Sequence, residues 1–382
     1  MQTCDVLIVG GGIAGASAAY EIAPFAKAIL LERESQPGYH TTGRSAAVFA
    51  PGYGNRVIRA LTAASHAFYR ERAGGLSDHP VLAPRGALFV GRADQLASLQ
   101  ALYDEIHPEA PDLERMDERQ LCARVPVLRP EYVAGGLYDP SSLDMDVAAI
   151  HQGYLKGFRA RGGQVVTDAE VSAIRTAAAP WRVETRAGPF EAGVLVDAAG
   201  AWADQLAGMA GVAPVGLVPK RRTAILFEPS VAPDPAWPVV IDADEEFYFK
   251  PESGLLLGSP ADETPVPPCD VQPEELDVAI AIDRIERAAS FRVRHVRRKW
   301  AGLRTFAPDR TPVVGREDTV PGFFWLAGQG GYGIQIAPAL ARAAARLLLE
   351  GALPEDLLDR GLVPEDLLPL RLRRTPRPLP AD

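Results

Sequence analysis

Gly10, Gly12 and Gly15 stand as G-x-G-x-x-G at the end of an apolar, β-branched run, Asp5 to Gly10 (DVLIVG), and a carboxylate, Glu32, follows about twenty residues on. Each member of the set has a physical task. Gly10 makes a tight turn, Gly12 lets the backbone approach a pyrophosphate, and Gly15 lets a helix pack closely on a strand. Free N–H groups and the dipole at the helix N-terminus favour the pyrophosphate's charge. Glu32 is placed to accept hydrogen bonds from a ribose diol, which favours NAD or FAD over a dinucleotide with a 2′-phosphate. The chemistry these residues point to is redox chemistry on a bound dinucleotide.

The elements that must hold them are legible around them. DVLIVG reads as a strand buried on both faces. The pattern then predicts a helix over Ile13 to Ile22, a turn over Ala23 to Lys27 and a second buried strand over Ala28 to Leu31. An extended FAD needs a further loop around its far half. Gly43, Arg44, Ser45, Ala46 and Ala47 suit that loop, with small residues to meet the ring and Arg44 to face a phosphate; a plain polar surface loop is the alternative. Gln164 to Thr167 reads as a strand, with Ala169 to Val171 beyond it where backbone would meet adenine. Gly193 to Asp197 is a strand running into Ala198, Ala199, Gly200, Ala201 and Trp202. Phe323 to Ala327 is another, followed by the glycine-rich Gly328 to Gln335. A helix is expected from about Ile336 to Glu350, with Pro338 near its first turn and Gly351 past its end. Its N-terminus would be a second electropositive backbone site, suited to charge that builds on a reduced flavin.

At roughly 150 residues per domain, 382 residues suggest two. The expected fold class is α/β: an FAD-binding Rossmann-like domain of glutathione-reductase type, interleaved with a mixed-sheet α+β substrate domain. The cofactor elements assign residues 1–81, 145–215 and 299–370 to the first. Residues 82–144 and 216–298, richer in proline and in strands such as Thr223 to Phe227 and Phe247 to Lys250, go to the second, and residues 371–382 to a flexible basic tail. A net charge of −9 gives no general attraction to nucleic acid or anionic membranes. No apolar run reaches the ~20 residues of a membrane span. Cys4, Cys122 and Cys269 lie too far apart for a Cys-x-x-Cys pair, and the six histidines lack ligand spacing, which argues against disulfides, zinc sites and metal hydrolases. The sparse, unpaired cysteines fit a reducing cytoplasm, the expected location, and with a first strand beginning near Cys4 no leader is expected.

Taken together, these residues resemble the D-amino-acid-oxidase-like family of FAD-dependent oxidoreductases, and within it the D-arginine dehydrogenase group most closely. The resemblance rests on Gly10 to Gly15, Gln36 to Ala47 (QPGYHTTGRSAA), Leu61 to Ser65 (LTAAS), Ile150 to Leu155 (IHQGYL) and Leu195 to Trp202 (LVDAAGAW). It continues through Pro219 to Arg222 (PKRR), Gly258 to Ala261 (GSPA), Trp300 to Arg304 (WAGLR) and Gln329 to Gln335 (QGGYGIQ), in one colinear order. It implies non-covalent FAD, since the histidine or cysteine anchors of covalent relatives have no counterpart near Val48 or Leu303. It also implies oxidation of a D-amino acid to the 2-oxo acid and ammonia by hydride transfer from the α-carbon to flavin N5, with a quinone, another carrier or oxygen as acceptor.

By the same resemblance, Arg222 and Arg304 carry the substrate carboxylate, Tyr53 and Tyr248 line the pocket, and the Gly331 backbone accepts from the amine. Arginine suits the task because its planar fork binds a carboxylate bidentately and keeps its charge. Ile13, Ala14, Arg33, Thr42, Val171, Gly302, Gly330, Tyr332, Gly333, Ile334 and Gln335 join the residues above as cofactor contacts. Two departures matter: Val48 replaces an active-site histidine of the family, and Ala87 replaces a carboxylate that would meet a cationic side chain. With Phe49 they suggest an apolar pocket and a neutral or hydrophobic substrate, unless Asp242 or Asp244 reaches in. Alternatives are an amine oxidase of the glycine or sarcosine type, a 2-hydroxy-acid dehydrogenase and, in another class, a flavin-binding protein without turnover.

Overall fold

The computed structural model describes residues 1–175 and 180–373. Two large sheets organise it. The first has eight strands, in the order Val171–Arg175, Trp181–Thr185, Gly188–Asp197, Gln2–Val9, Ala28–Leu31 and Gln164–Val166; Phe323–Ala327 pairs with the end of Gly188–Asp197, and Val313–Arg316 flanks it. Gln2–Val9 runs parallel to both its neighbours. Its continuous apolar run is explained by burial on both faces: Ile8 packs with Ile13, Ala16 and Leu340 on one side, Leu7 with Leu195, Leu206 and Trp325 on the other. The Ile13–Ile22 helix lies where the sequence places it.

The last long helix runs Gly333–Leu349, starting three residues before the expected Ile336. Gly333 keeps an ordinary negative φ, so the glycine run does not have to stay outside the helix. Pro338 then falls inside the helix, where it can donate no hydrogen bond to the Ile334 carbonyl. The Tyr69 hydroxyl donates to that carbonyl instead.

The second sheet has nine strands, in the order Thr264–Pro265, Val218–Pro229, Leu255–Ser259, Tyr248–Glu252, Val239–Asp242, Ala87–Gly91, Gly135–Asp139 and Glu114–Met116. The long strand Val293–Phe306 pairs along the other side of Val218–Pro229. The expected boundary at residue 299 therefore falls inside a strand. Residues 299–306 belong to the second sheet, and their strand carries Gly302 and Arg304 to the junction with the first. A small sheet of Val48–Phe49, Leu143–Met145 and Leu82–Pro84 also bridges the two expected regions. The start of the expected flexible tail is anchored: Arg371 binds Asp309 at 2.7 Å and Arg373 binds Glu317 at 2.9 Å. The rest of that tail lies outside the described residues.

Candidate active site

A cavity of about 450 Å³ opens at the carboxyl ends of the first sheet's parallel strands and extends to the second sheet. One end is formed by the glycine turn, Glu32, Arg33 and Val171, and the other by Arg222, Tyr248, Gly302, Arg304, Gly330 and Gly331. Gly10 has φ +114, and a Cβ there would lie 2.2 Å from the Ala198 carbonyl oxygen. A Cβ on Gly15 would lie 1.9 Å from the Gly10 carbonyl oxygen, so Gly15 sets helix-to-strand packing and does not line the cavity. The Ile13–Ile22 and Gly333–Leu349 helices both begin at the cavity wall, neither with a side-chain cap nor an acid in its first turn. Apart from the Ile13 N–H, the free N–H groups of their first turns make two anion-seeking ends on one cavity. The Thr42 hydroxyl accepts from the Ile13 N–H at 3.0 Å and ties the second loop to the first.

Glu32 accepts from the Gly11 and Glu34 N–H groups, both at 3.0 Å. Burial raises its carboxyl pKa against those hydrogen bonds. Ala14, Thr42, Arg44, Ser45, Ala199, Gly200, Trp202, Gly333 and Ile334 also line the cavity. Gly43, Ala47, Tyr332 and Gln335 do not: Gly43 closes a turn onto the Gly38 carbonyl, and Gln335 is spent on Thr62 and the Ala50 N–H. Arg44 departs from its expected role. Its guanidinium is taken up by Asp270 and by the Val271 and Ala301 carbonyls, acceptors more than 200 residues away in sequence.

At the other end, Arg304 is deeply enclosed, and the surface it keeps faces the cavity. Its one side-chain hydrogen bond among the described residues reaches the Tyr53 hydroxyl at 3.4 Å, and no carboxylate pairs with it. Burial opposes its charge, but Tyr53, Tyr248 and Glu245 outweigh burial and its pKa stays above the ordinary value. Arg222 is buried beside it, with Nε on the Asp262 carbonyl at 2.8 Å and an outer nitrogen 3.5 Å from Glu263. A Cβ on Gly331 would lie 2.8 Å from Cζ of Arg304, so that guanidinium rests on the glycine backbone. Tyr53 packs edge-on to Tyr332 at 4.9 Å.

Val48 and Ala87 do not line this cavity, and Phe49 is buried in the core. Asp242 and Asp244 do not reach in either, being held by Gln95 at 3.0 and 2.9 Å, with Tyr132 also on Asp242. The sequence reading missed three features. Glu245, in left-handed backbone at φ 55, is the acid whose field acts on Arg304. Glu263 gathers Lys220, Arg222 and Arg310. His151 sits beneath the glycine turn, Nε2 donating to the Gly11 carbonyl at 2.8 Å. Of these only His151 had a signal, its place in IHQGYL.

The family profile described as FAD dependent oxidoreductase (DAO) matches residues 5–347. The chain belongs to the DAO family of FAD-dependent oxidoreductases. It is similar to the bovine FAD-dependent oxidoreductase domain-containing protein 1, at 25% identity over 92% of this chain and 82% of that protein. It is also similar to human mitochondrial sarcosine dehydrogenase, at 24% identity over 93% of this chain but only 41% of the relative. The solved structure of L-proline dehydrogenase from P. horikoshii superposes with a TM-score of 0.83 and 19% identity, covering 98% of each chain. That likeness concerns the fold. In a DAO-family chain, the uncapped helix ends, the cradle that a Cβ on Gly10 would fill and the Glu32 carboxylate suit FAD as cofactor. Among the described residues no helix is long and apolar enough to cross a membrane.

Proposed function

We propose that this chain oxidises the α-carbon of a D-amino acid with a neutral or apolar side chain, yielding the 2-oxo acid and ammonia. One observation carries the reading: Arg304, a permanent cation deep in the molecule, faces the cavity with no carboxylate paired to it among the described residues. An unpaired buried charge is costly, and a ligand carboxylate removes that cost. Arg222 supplies the second fork, Tyr248 borders the bound acid, Tyr53 steadies Arg304 through its hydroxyl, and the Gly331 carbonyl accepts from the amine. The two arginines fix the carboxylate, which leaves the α-hydrogen one orientation; such positioning is worth several kcal/mol of barrier. FAD, when bound, supplies the electron sink. No histidine is needed in this scheme. A neutral side chain is preferred because Asp242 and Asp244 turn away and Glu245 is exposed to water.

A secondary-amine substrate is the second reading, favoured by the similarity to sarcosine dehydrogenase along most of the chain. Anaerobic bleaching of the FAD-loaded protein by D- and L-amino acids, glycine, sarcosine and 2-hydroxy acids separates the two. Neutral D-amino acids should bleach it fastest; a clear preference for D-arginine, for L-acids or for sarcosine overturns the assignment. Arg304→Met should raise KM at least about 100-fold, as expected for losing a charge-assisted fork worth about 3 kcal/mol.

A further inference from the structure

Lys220 and Arg304 lie opposite each other across the Val218–Pro229 and Val293–Phe306 strands, and Arg222 lies opposite Gly302. Cross-strand partners and alternate residues share a face, so the three cations project from one side of the ladder. Like charges so placed repel, and the counter-charge is Glu263. Lys220 binds it at 2.8 Å and Arg310 binds it through two nitrogens at 3.0 Å each. The surroundings hold this carboxylate in place: Arg310 (φ 57) and Ala261 (φ 54) both keep left-handed backbone around it. Burial opposes its ionisation, but Arg310 and Lys220 outweigh burial and hold the carboxyl at about 2, so it is charged throughout the working range. Arg222 is the least committed of its partners, at 3.5 Å.

We infer that Glu263 is an affinity-setting residue, an internal carboxylate that competes with the ligand's carboxylate for Arg222 and limits how tightly the pocket holds anions. This rests on the carboxylate-clamp reading above. An entering carboxylate draws Arg222 from a contact that is already long, while Lys220 and Arg310 keep Glu263 where it is. When the product leaves, Glu263 takes Arg222 back, so release does not strand the guanidinium.

Acetate tests this directly, because it offers a carboxylate and nothing to oxidise. It is titrated into FAD-loaded protein while the flavin absorption spectrum is followed. E263Q should bind acetate about tenfold more tightly than the parent, a change of one factor of ten in Kd. E228Q, which removes the same charge from the far end of the strand that carries Arg222, where Glu228 pairs with Arg297, should leave Kd unchanged. Equal or weaker binding in E263Q, or equal tightening in E228Q, overturns the inference. Should E263Q fail to hold FAD, Glu263→Asp withdraws the charge by one methylene and should tighten acetate about threefold; no tightening there also overturns it. If acetate leaves the parent's spectrum unchanged while an amino acid still bleaches the flavin, the clamp reading itself falls.

Discussion

Gly331 shows how a single residue can matter for a reason its sequence context does not display. QGGYGIQ suggested that its backbone serves the substrate amine. The structure adds that a methyl group there would meet Arg304 Cζ at 2.8 Å. The neighbour is the end of a flexible side chain, so it can move, and the fold should tolerate the change. Moving it displaces the carboxylate fork. Gly331→Ala should therefore keep its FAD and its melting temperature while KM for the best substrate rises about tenfold, as expected for losing roughly 1.4 kcal/mol of binding. Steady-state kinetics beside flavin content check this; an unchanged KM would detach Arg304 from substrate binding. The glycine turn and Glu32 were legible because each acts through local spacing. Arg44 was not, because the direction of a long side chain depends on acceptors brought near by the fold, here Asp270, Val271 and Ala301.

Among the elements, the Val147–Ala160 helix has a task beyond packing. It carries His151, whose Nε2 donates to the Gly11 carbonyl and whose ring lies 2.8 Å from where a Gly38 Cβ would be. One side chain thus braces both the glycine turn and the loop leading to Thr42. Burial lowers the His151 pKa, so the ring is neutral and Nε2 carries its proton. His151→Ala removes that brace, and a lost buried hydrogen bond of about 1 to 1.5 kcal/mol should weaken FAD binding about tenfold. Fluorescence titration of the apoprotein with FAD measures it; unchanged affinity would reduce His151 to a packing residue. Elements that are short apolar runs bounded by turn or glycine signals, such as Ile13–Ile22 and Ala28–Leu31, were legible to the residue. Val218–Pro229 was read only at Thr223 to Phe227, because Lys220, Arg221 and Arg222 hid the strand's start behind charge. Their partners, Glu263, Glu274 and Asp277, are 40 to 60 residues away and invisible to any local pattern.

For the molecule as a whole, the sheet that carries the cofactor turn holds a charge liability at its centre. Asp197 ends the Gly188–Asp197 strand, hydrogen-bonded between Gln2–Val9 and Phe323–Ala327 and fully buried. One oxygen accepts from the Ala199 N–H at 3.1 Å; the other finds no hydrogen-bond partner among the described residues. Burial raises its pKa well above the ordinary value, so the folded protein keeps a proton that the unfolded chain gives up near pH 4. A raised native pKa means stability that is complete below the unfolded value and is lost as pH climbs towards the folded one. In that interval folding stability should fall by about 1.4 kcal/mol per pH unit on account of this group alone. Asp197→Asn keeps the shape and the Ala199 acceptor but has no proton to lose. The difference in unfolding free energy between variant and parent should therefore widen steadily from pH 5 upward, with the variant more stable, while every other titrating group cancels in the comparison. Denaturant unfolding at a series of pH values tests this. A difference that stays constant with pH would mean that Asp197 is ionised in the folded protein, its charge neutralised by a partner at the sheet's centre.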